Sequence, residues 1–380
     1  MKIYKNIIIG GGASGLMVAS NLKDKQNTLI LEHNSKLGAK ILISGGGRCN
    51  YTNKSIDTTN YLAKESFIKN ILKAHSSYTI DRYFKIRGLK STLKNENEYF
   101  CKDSSKELLD ILLKEIKGVN IALNTTVLEA IKKDGLFEVK TNKRSYFTKN
   151  LIIASGGLSY PKIGASDIGY TIAKSFGHKV NKTNPALVGF TLQPSEAFFK
   201  ELSGISVDVE IKVQNRLLFG SLLFAHRGIS GPVVLNASLF WNKGQIEINF
   251  LPNFDLSLIK NSRKNISTLL PLPKRAAKVF LKKFGIDDKK ASLLTKEEYE
   301  RLSILKRYKF APAGTFGYSK AEVTKGGICL DEIDNKTFES KLNRNLYFIG
   351  EVLDVTGMLG GYNFHFAFAS ALSCAKYLNN

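Results

Sequence analysis

Lys5-Asn6-Ile7-Ile8-Ile9-Gly10-Gly11-Gly12-Ala13-Ser14-Gly15-Leu16 is the stretch that decides the fold. A short apolar strand runs straight into Gly10-x-Gly12-x-x-Gly15, and helical spacing of apolar residues follows from Leu16 to Lys23. Thr28 to Glu32 is a second apolar strand, so the segment reads as a βαβ unit. The chemistry asks for glycine at each of the three places. The first makes the tight turn, the second lets the backbone approach a pyrophosphate, and the third lets helix and strand pack closely. The helix start adds free N–H groups and a positive dipole, with Ala13 and Ser14 in its first turn. Glu32 ends the second strand about 20 residues on, where a carboxylate takes ribose hydroxyls, and His33 follows it.

This fingerprint serves FAD and NAD alike, and the C-terminus separates them. Leu346-Tyr-Phe-Ile-Gly350-Glu351 is an apolar strand ending in glycine and an acid, placed to bring a carboxylate to a ribityl chain. Gly360-Gly361-Tyr362-Asn363 then opens a helix whose N-terminus would face the flavin pyrimidine carbonyl. A third segment, Lys40-Ile-Leu-Ile-Ser44-Gly45-Gly46-Gly47-Arg48-Cys49-Asn50, exposes consecutive backbone N–H groups beside a fixed charge. It suits a loop laid over a pyrophosphate or a flavin ring. Ala154-Ser155-Gly156 ends a buried strand in small residues, allowing close passage of a cofactor. Val127 is added to the candidate contacts. The reading is therefore an α/β protein with a Rossmann-type two-dinucleotide FAD-binding domain assembled from both chain ends. The FAD is expected to be non-covalent.

Between these ends the character changes. Phe190–Leu192, Val207–Val213 and Ile246–Phe250 read as strands, and about Leu256 to Lys309 as lysine-rich helix. The expected domains are 1–189 with 322–380 for the cofactor, and an inserted domain, β-rich then helical, over 190–321. Ile56 to Gly118 reads as mostly helical, Ile121–Val127 and Leu136–Thr141 as strands.

Composition bounds the remainder. The 380 residues suffice for two or three domains. No apolar run reaches the roughly 18–20 residues of a bilayer span, so no membrane partner is expected. Cys49, Cys101, Cys329 and Cys374 form no C-x-x-C pair, which gives neither a redox dithiol nor a metal site. With no targeting segment evident, the expected location is the cytoplasm. Cys49 reads as a buried packing thiol, and His178 as a capping or packing residue. The net charge of +23 comes from 45 lysines and 11 arginines spread along the chain. Lysine-rich spread of this kind accords with a solvated surface more than with an arginine-based nucleic-acid reader. Oligomeric state is not legible.

Taken together, these segments resemble the BaiN-like bacterial flavoproteins, whose members are labelled NAD(P)/FAD-dependent oxidoreductase or aminoacetone oxidase-like FAD-binding enzyme. The likeness runs through Gly10–Gly15, Ile43-Ser-Gly-Gly-Gly-Arg-Cys-Asn50-Tyr-Thr-Asn53, Gly156-Gly-Leu-Ser-Tyr-Pro161, Ser230-Gly-Pro232, Val323-Thr-Lys-Gly-Gly327, Gly350-Glu-Val-Leu-Asp354 and Gly360–Asn363. It implies that Glu32, the Gly45–Asn50 loop, Glu351, Asp354 and Gly360–Asn363 line a flavin. Reduction of carbon–carbon double bonds in steroid-like acids is proposed for some members. Relatives carry Gly-Arg-x-Phe-Pro where this chain has Asn97-Glu98-Tyr99-Phe100-Cys101, so the resemblance brings no substrate role to that loop. Ser155 and Ala225 also replace threonines of the pattern.

Two functions are consistent with this reading. One is an FAD-dependent oxidoreductase moving hydride between a reductant, NAD(P)H, and an unidentified small organic substrate. No second G-x-G-x-x-G follows a strand, so NAD(P)H is expected as a transient visitor. Tyr362, His226 and Lys40 are the candidate acid/base groups. The alternative is an RNA-associated flavoprotein, its basic surface holding RNA while the flavin modifies a base or acts structurally.

Overall fold

The computed structural model describes residues 2–380. The chain divides into two compact units, Met1–Pro185 with Val323–Asn380, and Ala186–Glu322. In the first unit the elements run β1 (Ile3–Ile9), α1 (Ala13–Asn21), β2 (Thr28–Leu31), α2 (Ala39–Ile43), β3 (Asn50–Asn53), β4 (Tyr61–Leu62), α3 (Glu65–Ala74) and α4 (Ser77–Lys85). They continue with β5 (Ser91–Lys94), β6 (Glu98–Cys101), α5 (Ser105–Glu115), β7 (Asn120–Ala122), β8 (Val127–Lys133), β9 (Leu136–Thr141), β10 (Ser145–Ile153), α6 (Ile168–Ser175) and β11 (Val180–Ala186).

The inserted unit holds β12 (Phe190–Thr191), β13 (Ser206–Val213), β14 (Arg216–Ala225), β15 (Gly228–Ser230), α7 (Pro232–Phe240), β16 (Ile246–Asn249), α8 (Ile266–Leu269), α9 (Lys274–Lys283), α10 (Lys296–Ser303), β17 (Tyr308–Phe310) and β18 (Gly314–Thr315). The chain then returns through β19 (Val323–Ile328), β20 (Leu346–Phe348), β21 (Thr356–Gly357) and α11 (Tyr362–Leu378).

The first unit is built on a sheet of order β7-β2-β1-β10-β9-β8, with β20 also on β10. β7, β2, β1, β10 and β20 are mutually parallel. Their cores, Ile7–Ile9, Thr28–Leu31, Leu151–Ile153 and Leu346–Phe348, are buried on both faces. That is why they read as continuous apolar runs rather than alternating ones. β10 serves two partners along its length: Ser145–Thr148 pair antiparallel with β9, and Leu151–Ile153 pair with β20. β20, from the C-terminal part of the chain, therefore lies one strand away from β1.

Two expectations change here. The single strand at Ile121–Val127 is two, because Asn124 adopts φ 50° and turns the chain between β7 and β8. The stretch at 56–118 is not mostly helix: β3, β6 and β5 form a separate three-stranded sheet within it. Its hairpin turns through the three residues Asn95–Asn97, the first two left-handed at φ 48° and 64°.

The inserted unit is a seven-stranded sheet, β17-β16-β13-β14-β15-β12-β18. β14 was not among the expected strands; it pairs with β13 from Arg216 to Leu223 and with β15 from Leu223 to Ala225. Phe199, Phe224, Phe250, Phe280 and Phe310 are fully buried and share one aromatic cluster, with Phe250 and Phe280 centroids 4.9 Å apart. Among the described residues no helix is long and apolar enough to cross a membrane.

α11 is pinned by a buried histidine. His365 Nε2 donates to the His75 carbonyl (3.0 Å), which leaves Nδ1 to accept the Thr52 hydroxyl (2.9 Å). Burial pushes the imidazole pKa from 6.5 down to about 4. Between these values the unfolded chain binds a proton that the folded chain refuses, so stability is complete above about pH 6.5 and declines toward pH 4. The expected loss is on the order of 3 kcal/mol, and the lowered His75 and His178 act in the same direction. Urea midpoints measured from pH 7.5 to 4.5 should fall, and fall less in His365→Gln.

Candidate cofactor site

The turn after β1 has the geometry its glycines require. Gly10 takes φ 105°, and a Cβ there would lie 2.5 Å from the Ala154 carbonyl oxygen. Gly15 has no room for a side chain against the Gly10 carbonyl. Gly12 differs: it sits at φ −85° as N-cap of α1, with no side-chain cap, and a Cβ would meet nothing within 4 Å. The backbone N–H groups of this helix start therefore face open space. Glu32 is buried at the end of β2, its Oε2 accepting the Gly11 N–H and its Oε1 the Asn34 N–H, both at 2.8 Å. The acid thus braces the turn itself, and His33 Nδ1 lies 3.3 Å from it. Val127 is buried at the start of β8, and Thr125 N–H donates to the Glu32 carbonyl (2.9 Å).

The glycine run after α2 is left-handed throughout, with φ 55°, 65° and 84° at Gly45, Gly46 and Gly47. Gly46 and Gly47 face open space, whereas Gly45 is seated against Asn50 N and the Phe100 ring. Arg48 is exposed and its Nη2 donates to the Lys102 carbonyl (2.9 Å), so the guanidinium fastens the loop to the segment after β6. Cys49 is fully buried, as a packing thiol should be. No other cysteine stands near it in sequence, yet Cys101 lies across the strand pair, donating its backbone N–H to the Cys49 carbonyl (3.3 Å). Burial pushes the Cys49 thiol up, and the hydrogen bond from Cys49 lowers that of Cys101; both are free thiols.

The C-terminal segment closes on this frame. A Cβ on Gly350 would lie 2.6 Å from Ser14 Oγ, so the end of β20 touches the first turn of α1. Glu351 Oε2 pairs with Lys40 Nζ at 2.7 Å and its Oε1 accepts the Thr324 N–H at 2.9 Å. Lys40 is thus held in an ion pair rather than offered as a free base. Gly361, at φ 88°, is the N-cap of α11, and a Cβ would lie 2.5 Å from Asn50 Oδ1 and 2.6 Å from the Thr52 carbonyl. Gly360 packs beside Asn53 and Glu98. Asn363 does not point outward: its amide closes onto Gly357 N and O (2.8 and 2.9 Å). Tyr362 is half-buried, edge-on to Tyr61, and burial raises its phenol pKa. Asp354 accepts from Asn181 Nδ2 (2.7 Å), and burial raises its carboxyl.

Ala154 N–H donates to the Ile9 carbonyl (2.9 Å), continuing the sheet up to the Gly10 turn. Beyond it, Ser155 Oγ is buried without a hydrogen-bond partner, and Gly156, at φ 75°, faces open space. Gly164 packs onto His33 and Asn34. His226 belongs to the inserted unit, exposed between β14 and β15. His178 is buried against Phe348, 3.1 Å from Glu332 and 2.7 Å from Ser340 Oγ, a packing role. Two residues escaped sequence reasoning. Thr324 Oγ1 accepts the Leu158 and Ser159 N–H groups (2.8 and 3.1 Å). Lys325, buried in β19, has its ammonium pKa brought down to about 8 by desolvation. The string Val323-Thr-Lys-Gly-Gly327 was their only signal.

These features fit an elongated dinucleotide: open space at Gly12, Gly46, Gly47 and Gly156, uncapped starts of α1 and α11, and an orphaned hydroxyl at Ser155. Fold and site define a Rossmann-type FAD-binding protein of the oxidoreductase class. The chain belongs to the family described as HI0933-like protein Rossmann domain, which it matches over residues 4–377. It is 37% identical to a ribosomal RNA dihydrouridine synthase of Haemophilus influenzae, over 98% of this chain and 97% of that one. It is 29% identical to a 3-dehydro-bile acid delta(4,6)-reductase of Clostridium scindens, over 96% of each. Among solved structures, a 3-ketosteroid-delta4-(5alpha)-dehydrogenase of Rhodococcus jostii shares the fold, with a TM-score of 0.52 at 14% identity, covering 98% of this chain and 97% of that one.

Proposed function

We propose that the protein is an FAD-dependent reductase of a carbon–carbon double bond conjugated to a carbonyl, and that its substrate is a uridine of ribosomal RNA, saturated at C5–C6. The observation that carries this reading is the end-to-end relation, at 37% identity, to a ribosomal RNA dihydrouridine synthase. The relative named for a delta(4,6) reduction fits the same bond change on another ring. A net charge of +23 suits a polyanionic substrate, so the weight placed on a solvated surface shifts to the RNA alternative.

In this assignment Glu32, braced by the Gly11 and Asn34 N–H groups, turns its remaining lone pairs to the adenosine ribose, and the α1 start at Gly12 receives the pyrophosphate. The Gly45–Gly47 loop and the α11 start at Gly361 border the ring. The α11 dipole favours negative charge there, and the Lys40–Glu351 pair fixes the ribityl side. FAD bound in this way supplies hydride chemistry. The overall balance is uridine, NAD(P)H and a proton giving dihydrouridine and NAD(P)+.

The purified protein should release FAD rather than FMN. With NADH or NADPH and an unmodified ribosomal RNA transcript it should yield a nucleoside heavier than uridine by two hydrogens. Saturation of a steroid dienone acid, with none of the RNA, would replace the substrate and keep the bond change. FMN in the released cofactor would sink the site assignment.

A further inference from the structure

The β5–β6 hairpin stands beside the two stretches assigned to the flavin ring. Its pairing puts Lys94 opposite Glu98 and Thr92 opposite Phe100. Strand alternation then sends Tyr99 and Cys101 to one face, Glu98 and Phe100 to the other. The first face is core: Cys101 is fully buried and Tyr99 packs on buried Tyr51, with centroids 6.2 Å apart. The second face is half-exposed and turned toward the glycines. The Phe100 ring is 3.1 Å from the Cβ position of Gly45, and Glu98 Oε1 is 3.3 Å from that of Gly360. Lys94 Nζ stands 5.6 Å from the centre of the Phe100 ring. Glu98 Oε2 accepts from the exposed Asn95 amide (2.9 Å), a contact made within the hairpin tip.

A half-exposed phenylalanine, a half-buried carboxylate and an exposed lysine from the edge strand, its ammonium over the phenyl ring, share one face of the hairpin. Folding gains little from leaving a phenyl ring partly wet. Glu98 Oε1 takes only a long bond from Asn50 Nδ2 (3.4 Å), so with Asn95 on Oε2 the carboxylate keeps lone pairs for a further donor. A pyrimidine in RNA asks for this combination: a flat wall for the ring, an acceptor for the imide N3–H, and a cation for the adjoining phosphate. A steroid would use the wall but brings neither an N–H for the carboxylate's remaining lone pairs nor a phosphate for the lysine.

We infer that the β5–β6 hairpin is the substrate-recognition element, with Phe100 walling the uracil ring, Glu98 accepting its N3–H and Lys94 meeting a flanking phosphate. This rests on the RNA reading above. None of the three residues is a catalytic group; each positions the base.

The test uses the flavin-loaded protein and unmodified transcripts of the two large ribosomal RNAs. Phe100→Ala and Glu98→Ala should each lower kcat/KM for dihydrouridine formation about 10- to 100-fold, with flavin content and melting temperature held. Phe100→Tyr should recover most of the loss. Lys94→Ala should raise KM with little change in kcat, and reduce the salt slope of RNA binding by about 1. If wild type forms dihydrouridine and all three variants match it, the hairpin assignment falls and the RNA reading stands. If the variants lose their flavin, the hairpin is a structural support of the cofactor loop and the inference is overturned. If wild type forms no dihydrouridine from either transcript, the RNA reading falls and takes this inference with it.

Discussion

Gly12→Val should fold as well as the cofactor-free wild-type protein and bind no flavin. The two outcomes separate because this glycine differs from its neighbours. Gly10 and Gly15 are fixed by the fold: one has a positive φ and a carbonyl against its Cβ position, the other has the Gly10 carbonyl there. A side chain at either is a folding defect. Gly12 has φ −85° and ψ −163°, extended backbone that valine adopts readily. Its Cβ position is clear for 4 Å, so the branched methyls would project into the space before the α1 N–H groups. That is the space assigned to the pyrophosphate, and displacing it forfeits the N–H contacts and the helix dipole together. Circular dichroism should be unchanged and the visible flavin bands absent. Wild-type flavin occupancy in this variant would show that the phosphates lie elsewhere.

Gly361→Ala should be the most damaging single methyl in the chain's last helix. At φ 88° any side chain is strained by about 1–2 kcal/mol. The added carbon would also sit 2.6 Å from the Thr52 carbonyl oxygen, part of a strand that cannot swing aside as a flexible side chain would. Strain and overpacking together should cost roughly 3 kcal/mol, lowering the melting temperature by several degrees and loosening the flavin. Gly46→Ala is the control. It too is left-handed, at φ 65°, but meets nothing within 4 Å, so its cost should be about 1 kcal/mol. Equal melting temperatures for the two variants would mean that the start of α11 is not seated on β3, and the two-ended site would fail with it.

What could be read from sequence was what depends on neighbours in sequence. The strand–turn–helix at Ile7–Gly15 is specified locally, because the apolar run sets the strand and Gly10 alone supplies the positive φ of the turn. The buried parallel strands announced themselves as uninterrupted apolar runs, and Gly360-Gly361 marked the start of α11 for the same local reason. The hairpin at 91–101 was hidden because its lysines and asparagines carry no alternation on the wet face. Its strand character comes from pairing with β3, some 40 residues earlier.

By itself, then, the sequence determined the Rossmann class, the glycine turn after β1 and the two-ended arrangement, since each rests on short-range dihedral and burial demands. Only the tertiary structure decided which side chains answer one another. It pairs Lys40 with Glu351, sets Cys101 against Cys49, turns the Asn363 amide onto its own loop and spends both Glu32 oxygens on backbone N–H groups. These outcomes hang on the register of strands and helices far apart in the chain. A carboxylate or amide takes whichever donor that register brings within about 3 Å, and nothing in the local sequence fixes which donor that will be.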